Sequence, residues 1–222
     1  LLRPAGFPFM AAGPFLAAMP VEPLAAASAA IEAPEFSARP QWVRSDGQRP
    51  AQLLIALLQS SNLDGLDPAR FKVNTLKRVV VAAEGGRFAA VDKANDMLDA
   101  ALVSYVTALR SAPASGWVIN DPEAVPKAPS ASKLLTEAAA APSLEAWLKA
   151  MPFMHPSYAG LRRALARADA VGDDHSASLL RINLQRVRLL PAKGRYVLVN
   201  TAAQKLYMYE GGPAGDEMEG VV

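Results

Sequence analysis

Arg195 to Glu210 reads R-Y-V-L-V-N-T-A-A-Q-K-L-Y-M-Y-E, two short runs rich in Val, Tyr and Leu around a small polar turn, with Gly211-Gly212-Pro213 behind them. Aromatic and β-branched residues in short runs bounded by turn residues spell a β-hairpin. A third extended run opens near Met218 and reaches Val222. A lone hairpin is marginal in water and needs more sheet or a packed helix. The expectation is therefore a β-rich domain that begins here and continues beyond Val222.

Pro191 separates this stretch from a different periodicity. From about Ser176 to Leu190, Leu180, Leu184 and Val187 recur at helical spacing, with Arg181, Gln185 and Arg188 on the face expected to point outward. Farther back, Val91, Ala94, Leu98, Ala101, Leu102, Tyr105 and Leu109 form one stripe, predicting a long helix over about 90–110. Leu53, Leu54, Leu57 and Leu58 mark another, with Pro50 suited to its first turn and Ser45/Gln48 spaced as a capping box. Asp64-Gly65-Leu66-Asp67-Pro68 reads as a turn and a new helix start, Asp67 capping and Pro68 in the first turn. Short helices are expected over 132–140, after Ser143 (Leu144, Trp147, Leu148) and after Ser157 (Tyr158, Leu161, Leu165). Residues 111–130 hold four prolines and read as a long connection anchored at Trp117-Val118-Ile119. The fold class is thus mainly α: a helical domain of about six helices over 41–191, then over 195–222 the opening hairpin of a β-rich domain.

Residues 1–40 differ from the rest, being rich in Ala and Pro. Prolines at that density break any continuous helix, and a membrane span needs about 20 unbroken apolar residues. The segment reads either as a secretory signal (Arg3, an apolar run from Phe7 to Met19, small residues from Ala25 to Ala30) or as a disordered linker.

Composition narrows the chemistry. The 222 residues are 51% hydrophobic, enough for a core, and a net charge of +2 with no basic arm argues against a nucleic-acid partner. No cysteine is present, so these residues hold no disulfide, thiol nucleophile or cysteine metal site. His155 and His175 are the only imidazoles. His155 lies in a turn between Met154 and Pro156 with no nucleophile motif beside it, and reads as a turn or capping residue. His175 follows Asp173-Asp174 at a helix start, where capping explains the trio better than a metal. Gly85-Gly86 and Gly211-Gly212 lack any phosphate-loop frame. Glu84, Asp92, Asp96 and Asp99 are spaced like a helix surface, and Trp42, Trp117 and Trp147 read as core or interface anchors. No catalytic, cofactor or metal residue is assigned. One charge cluster stands out. Arg162, Arg163, Arg167, Arg181, Arg186, Arg188, Lys193 and Arg195 face only Asp169, Asp173 and Asp174. It reads as a solvated helical face or as a surface for an anionic partner.

Four ordered stretches carry a resemblance: Pro40-x-Trp42 with Asp64-Gly-Leu-Asp-Pro68; His155-Pro156-x-Tyr158-x-x-Leu161; Arg181-Ile-Asn-Leu-Gln-Arg-Val-Arg-Leu-Leu-Pro191; and Arg195 to Glu210. Together they resemble the large murein L,D-transpeptidases of Gram-negative bacteria over roughly residues 40–222. The resemblance implies a helical scaffold packed against a β-rich catalytic domain, in a periplasmic, envelope-facing enzyme. It implies peptidoglycan stem peptides as partners, other envelope proteins as further candidates, and no cofactor. Such enzymes attack one stem with a cysteine and pass the acyl group to an amine of another. Their nucleophile lies in a Ser-His-Gly-Cys-x-Arg motif that this chain does not contain, so no catalytic residue carries over. The nine residues between Ala166 and Ser176 leave no room for the peptidoglycan-binding module that many relatives insert there. Val187 and Leu189 stand where relatives show tryptophan. The alternative is a non-catalytic envelope-binding module acting through the basic residues from Arg162 to Arg195; the blandest reading is a helical interaction protein.

Overall fold

The computed structural model describes residues 39–44, 49–111, 125–200, 204–210 and 216–221, all within one compact unit, Phe36–Val222. The 1–40 segment (save its last two residues), the Ser45/Gln48 pair, the Trp117–Ile119 anchor and Gly211–Pro213 lie outside the described residues. Seven α-helices are described: α1 (Pro50–Gln59), α2 (Val73–Ala83), α3 (Phe88–Arg110), α4 (Ala131–Ala140), α5 (Leu144–Ala150), α6 (Tyr158–Val171) and α7 (Asp174–Arg188). Two single 3-10 turns, Ser61–Asp64 and Pro68–Phe71, link α1 to α2. The mainly α reading holds, with α2 separate from the turn opened by Pro68.

Local chemistry sets most boundaries. Pro50 occupies the first turn of α1, whose N-cap is Arg49. Asp67 caps as expected, accepting from the Ala69 amide at 2.9 Å, but it opens only one 3-10 turn. Lys72 then takes a left-handed φ of 49°, so the regular helix restarts at Val73. Ser130 and Ser143 cap α4 and α5 by accepting from Lys133 and Ala146 amides. Gly172, at φ +71°, ends α6, and Asp173 caps α7 through the Ser176 amide, two residues before the expected start. No helix among the described residues is long and apolar enough to cross a membrane.

α3 is the spine. Leu98, Leu102, Tyr105 and Leu109 are fully buried along its stripe, and α1, α2, α4 and the Pro68–Phe71 turn pack on it. Each such burial contributes about 1.5–3 kcal/mol. Leu54, Leu58, Leu76, Leu134, Leu148, Tyr158, Leu165 and Leu184 bring every helix into the same core. Trp42 joins it at 1% exposure, its indole N–H donating to Asp99 Oδ1 at 2.8 Å. Trp42 is thus a core anchor, as expected, and Trp147 packs on Phe153 with ring centroids 5.4 Å apart. Asp99 is a correction. The spacing put it on the helix surface, yet it is 3% exposed, because Trp42 and Arg39 fold over α3, the indole donating to Oδ1 and the guanidinium forming an ion pair with Oδ2 at 3.1 Å. Burial raises its pKa, against the opposing pull of the Trp42 bond and Arg39.

Beyond α7 runs an antiparallel meander: β1 (Tyr196–Asn200), β2 (Lys205–Glu210) and β3 (Asp216–Val221), in that order. Leu198 pairs with Tyr207, and Met208 with Met218. The hairpin is as expected, and the third run begins at Asp216. Val197 and Val199 are more than half exposed, and Met208, directly opposite Val197, is 39% exposed. Tyr196 and Leu198, on the opposite face, are partly covered. The Tyr196 ring meets His155 edge-on, centroids 6.1 Å apart, tying β1 to the helical body.

Candidate functional site: a buried ionic junction between the helices

The turn Asp64-Gly65-Leu66 does more than reverse the chain. Asp64 is fully buried and its carboxylate is the hub of a polar network. Oδ2 accepts from Tyr105 Oη of α3 at 2.7 Å, and Oδ1 from Tyr158 Oη of α6 at 2.9 Å. Arg162 Nε donates to both oxygens at 2.8 and 3.1 Å, while its Nη2 bonds the Ser60 carbonyl and hydroxyl. One side chain thereby joins α3, α6 and the end of α1. Gly65 is favoured here by its left-handed φ of +71°, and a Cβ would in addition push the tip of the Gln185 side chain, 2.9 Å away.

The electrostatics are those of a dry site. Burial raises the pKa of both tyrosines, and the Asp64 charge adds to it, so both hydroxyls stay protonated donors. Burial alone would lower the Arg162 pKa, but Asp64 and the tyrosines more than offset it and the value is raised. A buried carboxylate that accepts from a guanidinium and two hydroxyls has its desolvation met by bonds.

A second layer lies against the first. Arg110 ends α3 and Arg188 ends α7, and each caps the other helix. Arg188 Nε donates to Leu109 O at 2.7 Å, and Nη2 to Ala108 O and Ser111 O at 2.9 and 3.2 Å. Arg110 Nη1 returns bonds to Arg188 O and Leu190 O at 3.2 and 3.0 Å, and Nε bonds Phe153 O at 3.0 Å. Helix C-termini leave carbonyls unpaired and carry partial negative charge, so two cations are held there without a carboxylate of their own. Burial lowers both pKa values, that of Arg110 to about 10, and both remain charged at neutral pH. Arg188 Nη1 also reaches Asp64 O at 3.3 Å and Gln185 Oε1 at 2.8 Å, linking the two layers.

This corrects the outward assignment of Arg188, which is 6% exposed. Periodicity put it on the polar side of α7, but the end of α3 supplies carbonyls that a guanidinium alone can reach and satisfy. The cluster from Arg162 to Arg195 therefore loses Arg188 to the interior, and Arg162 is taken up by its pairing with Asp64. Arg181 pairs with Asp169 at 2.6 Å and Lys193 with Glu137 at 3.0 Å. Arg163, Arg167 and Arg186 remain exposed. His155 is the turn residue expected. It is buried, its Nδ1 lies 2.7 Å from Ser157 Oγ, and it accepts from the Ser157 amide. Asp173 and His175 are exposed at the α7 start, and no cluster of metal-ligating side chains occurs among the described residues.

The junction joins the ends of α3 and α7 to the Asp64 turn. It fixes where α7 ends relative to α3, and so where Tyr196 enters the sheet. Sequence reasoning missed Asp64 as a hub, although an Asp and two tyrosines within quoted motifs were available as the signal. No curated protein and no solved structure matches this chain. Residues 35–165, which include Asp64, Tyr105, Tyr158 and Arg162, match the Scaffold domain family over more than half of the chain, and the chain belongs to that family.

Proposed function

We propose that this chain is the scaffold portion of a periplasmic peptidoglycan L,D-transpeptidase, together with the first strands of its catalytic domain. The observation that carries the reading is the succession of a Scaffold domain over residues 35–165 and, after α7, a β meander that touches the helical body through the Tyr196–His155 ring contact. The sheet has apolar side chains on both faces of β1, the mark of a sheet covered on both sides. The four motifs of the resemblance run in order through the same elements. On this reading the protein transfers the acyl group of one murein stem peptide to an amine of another through a cysteine thioester. The cysteine lies outside these 222 residues, which are catalytically silent. The helical body serves as a rigid base that orients the sheet.

Intact mass of the full gene product, before and after incubation with a carbapenem, tests this. One stoichiometric adduct, mapped to a cysteine beyond Val222, is the expected result. A full-length protein that takes no adduct and leaves muropeptides unchanged refutes it. The second reading, a non-catalytic peptidoglycan- or envelope-protein-binding module, is favoured by the exposure of Arg163, Arg167 and Arg186. It predicts sedimentation with purified sacculi at low salt, lost on changing these three to Glu.

A further inference from the structure

A groove of about 350 Å³ opens between α1, α5 and α6, away from the sheet. Its floor is apolar, with Leu57, Leu148 and Met151 among the lining residues. Its rim is cationic throughout: Lys149, Arg162 and Arg163 line it, and no carboxylate does. Lys149 and Arg163 are exposed and have no ion pair among the described residues. Arg162 differs from them. Its Nε and Nη2 are held by Asp64 and Ser60, so the guanidinium plane is fixed, and its Nη1 has no partner among the described residues.

We propose that this groove docks an acidic peptide segment of a partner protein, one large apolar side chain entering the floor and a neighbouring Asp or Glu meeting the rim. The volume lies at the low end of ligand pockets and suits one leucine or phenylalanine rather than a cofactor. Lys149 and Arg163 have no carboxylate partner beside the groove among the described residues, and an acidic occupant supplies one, while Arg162, already neutralised by Asp64, offers its remaining Nη1 donor. The carboxylate meets an arginine whose order is already set by Asp64, so little side-chain entropy is lost on binding. The apolar floor adds what exposed charge pairs alone do not supply. The proposal is independent of the transpeptidase reading, because it uses only the helical body.

The test is fluorescence anisotropy of the 222-residue chain with a labelled peptide of alternating Asp/Glu and Leu/Phe. Two controls accompany it, one with Asn/Gln for the acids and one with Ala for the apolar residues. The acidic-apolar peptide is expected to bind, and each control to bind at least about tenfold more weakly. The exposed double change Lys149→Glu/Arg163→Glu is expected to weaken binding about tenfold or more. Ala56→Trp, which fills the groove from an exposed position of α1, is expected to abolish binding with an unchanged circular dichroism spectrum. No binding at low salt, or binding that survives Ala56→Trp, overturns the proposal. So does binding to anionic phospholipid vesicles but not to peptide, or a dimer in sedimentation that Ala56→Trp converts to monomer.

Discussion

Replacing Asp64 by alanine removes the acceptor of three donors at once. The Arg162 guanidinium keeps the Ser60 carbonyl and hydroxyl on Nη2 but loses its counter-charge at Nε. Breaking a buried ion pair from one side costs about 3–5 kcal/mol. The Arg162 side chain is 14% exposed, which places the cost at the low end of that range. The Tyr105 and Tyr158 hydroxyls are stranded as well, at about 1 kcal/mol each once water enters the vacated space. The expected loss is about 5 kcal/mol, against a typical total stability of about 5–15 kcal/mol. Asp64→Asn keeps an acceptor and forfeits the charge, for about 2–3 kcal/mol, and Tyr105→Phe or Tyr158→Phe costs about 1 kcal/mol. Urea unfolding followed by far-UV circular dichroism measures all four. In a double-mutant cycle with Arg162→Gln, a coupling of about 2–3 kcal/mol is expected. A loss below about 1 kcal/mol for Asp64→Ala, or additive effects of Asp64 and Arg162, would show that the network does not hold the helices together.

Other outcomes follow from the same geometry. Arg188→Met leaves the carbonyls of Ala108, Leu109 and Ser111 at the end of α3 uncapped and is expected to cost about 3 kcal/mol, with faster amide hydrogen exchange in β1. The exposed Arg186→Ala is expected to stay within about 0.5 kcal/mol of the parent. Asp99→Asn keeps an acceptor for the Trp42 indole and removes a desolvated charge, so its Tm is expected near that of the parent, whereas Asp99→Leu strands the indole and loses about 1–3 kcal/mol. Stability is also expected to fall at alkaline pH. Both tyrosines are raised in the fold, so above about pH 10 the unfolded state gives up protons that the native state keeps, at about 1.4 kcal/mol per pH unit for each. Arg110, lowered to about 10, acts in the opposite sense up to its unfolded value. Arg188, also lowered, acts in the same sense as Arg110, so the fall read by urea titrations across the alkaline range is shallower than two tyrosines alone would give, and Tyr105→Phe/Tyr158→Phe removes it. Finally, Val197→Lys/Val199→Lys is expected to reduce binding of an apolar dye by this chain, because the exposed face of β1 is lost.

The α3 stripe shows why much of the fold was readable. A buried helix must present apolar residues every three to four positions, so Leu98, Leu102, Tyr105 and Leu109 announce their own face. The caps at Asp67 and Ser143 were equally legible, because a cap acts over two or three residues. Lys72 was not legible, since nothing in a lysine signals a left-handed φ that only the packing around it imposes. Asp99 and Arg188 misled for one reason. Spacing says which residues share a face, and type says whether a face prefers water. Neither says that an indole from residue 42 or the carbonyl end of a helix near residue 110 will arrive there.

The local sequence by itself determined that this chain makes a helical body and then strands, where most helices start and stop, and that these residues hold no cysteine chemistry. Local dihedral preference, capping and amphipathic periodicity act over a few residues and are written in neighbours. Only the tertiary structure decided that Asp64, Tyr105, Tyr158 and Arg162, drawn from positions up to 98 residues apart, form one network. Only the tertiary structure decided that two arginines 78 residues apart cap each other's helices. A buried charge is tolerated where its partners converge, and that convergence is a property of packing in three dimensions rather than of any stretch of chain.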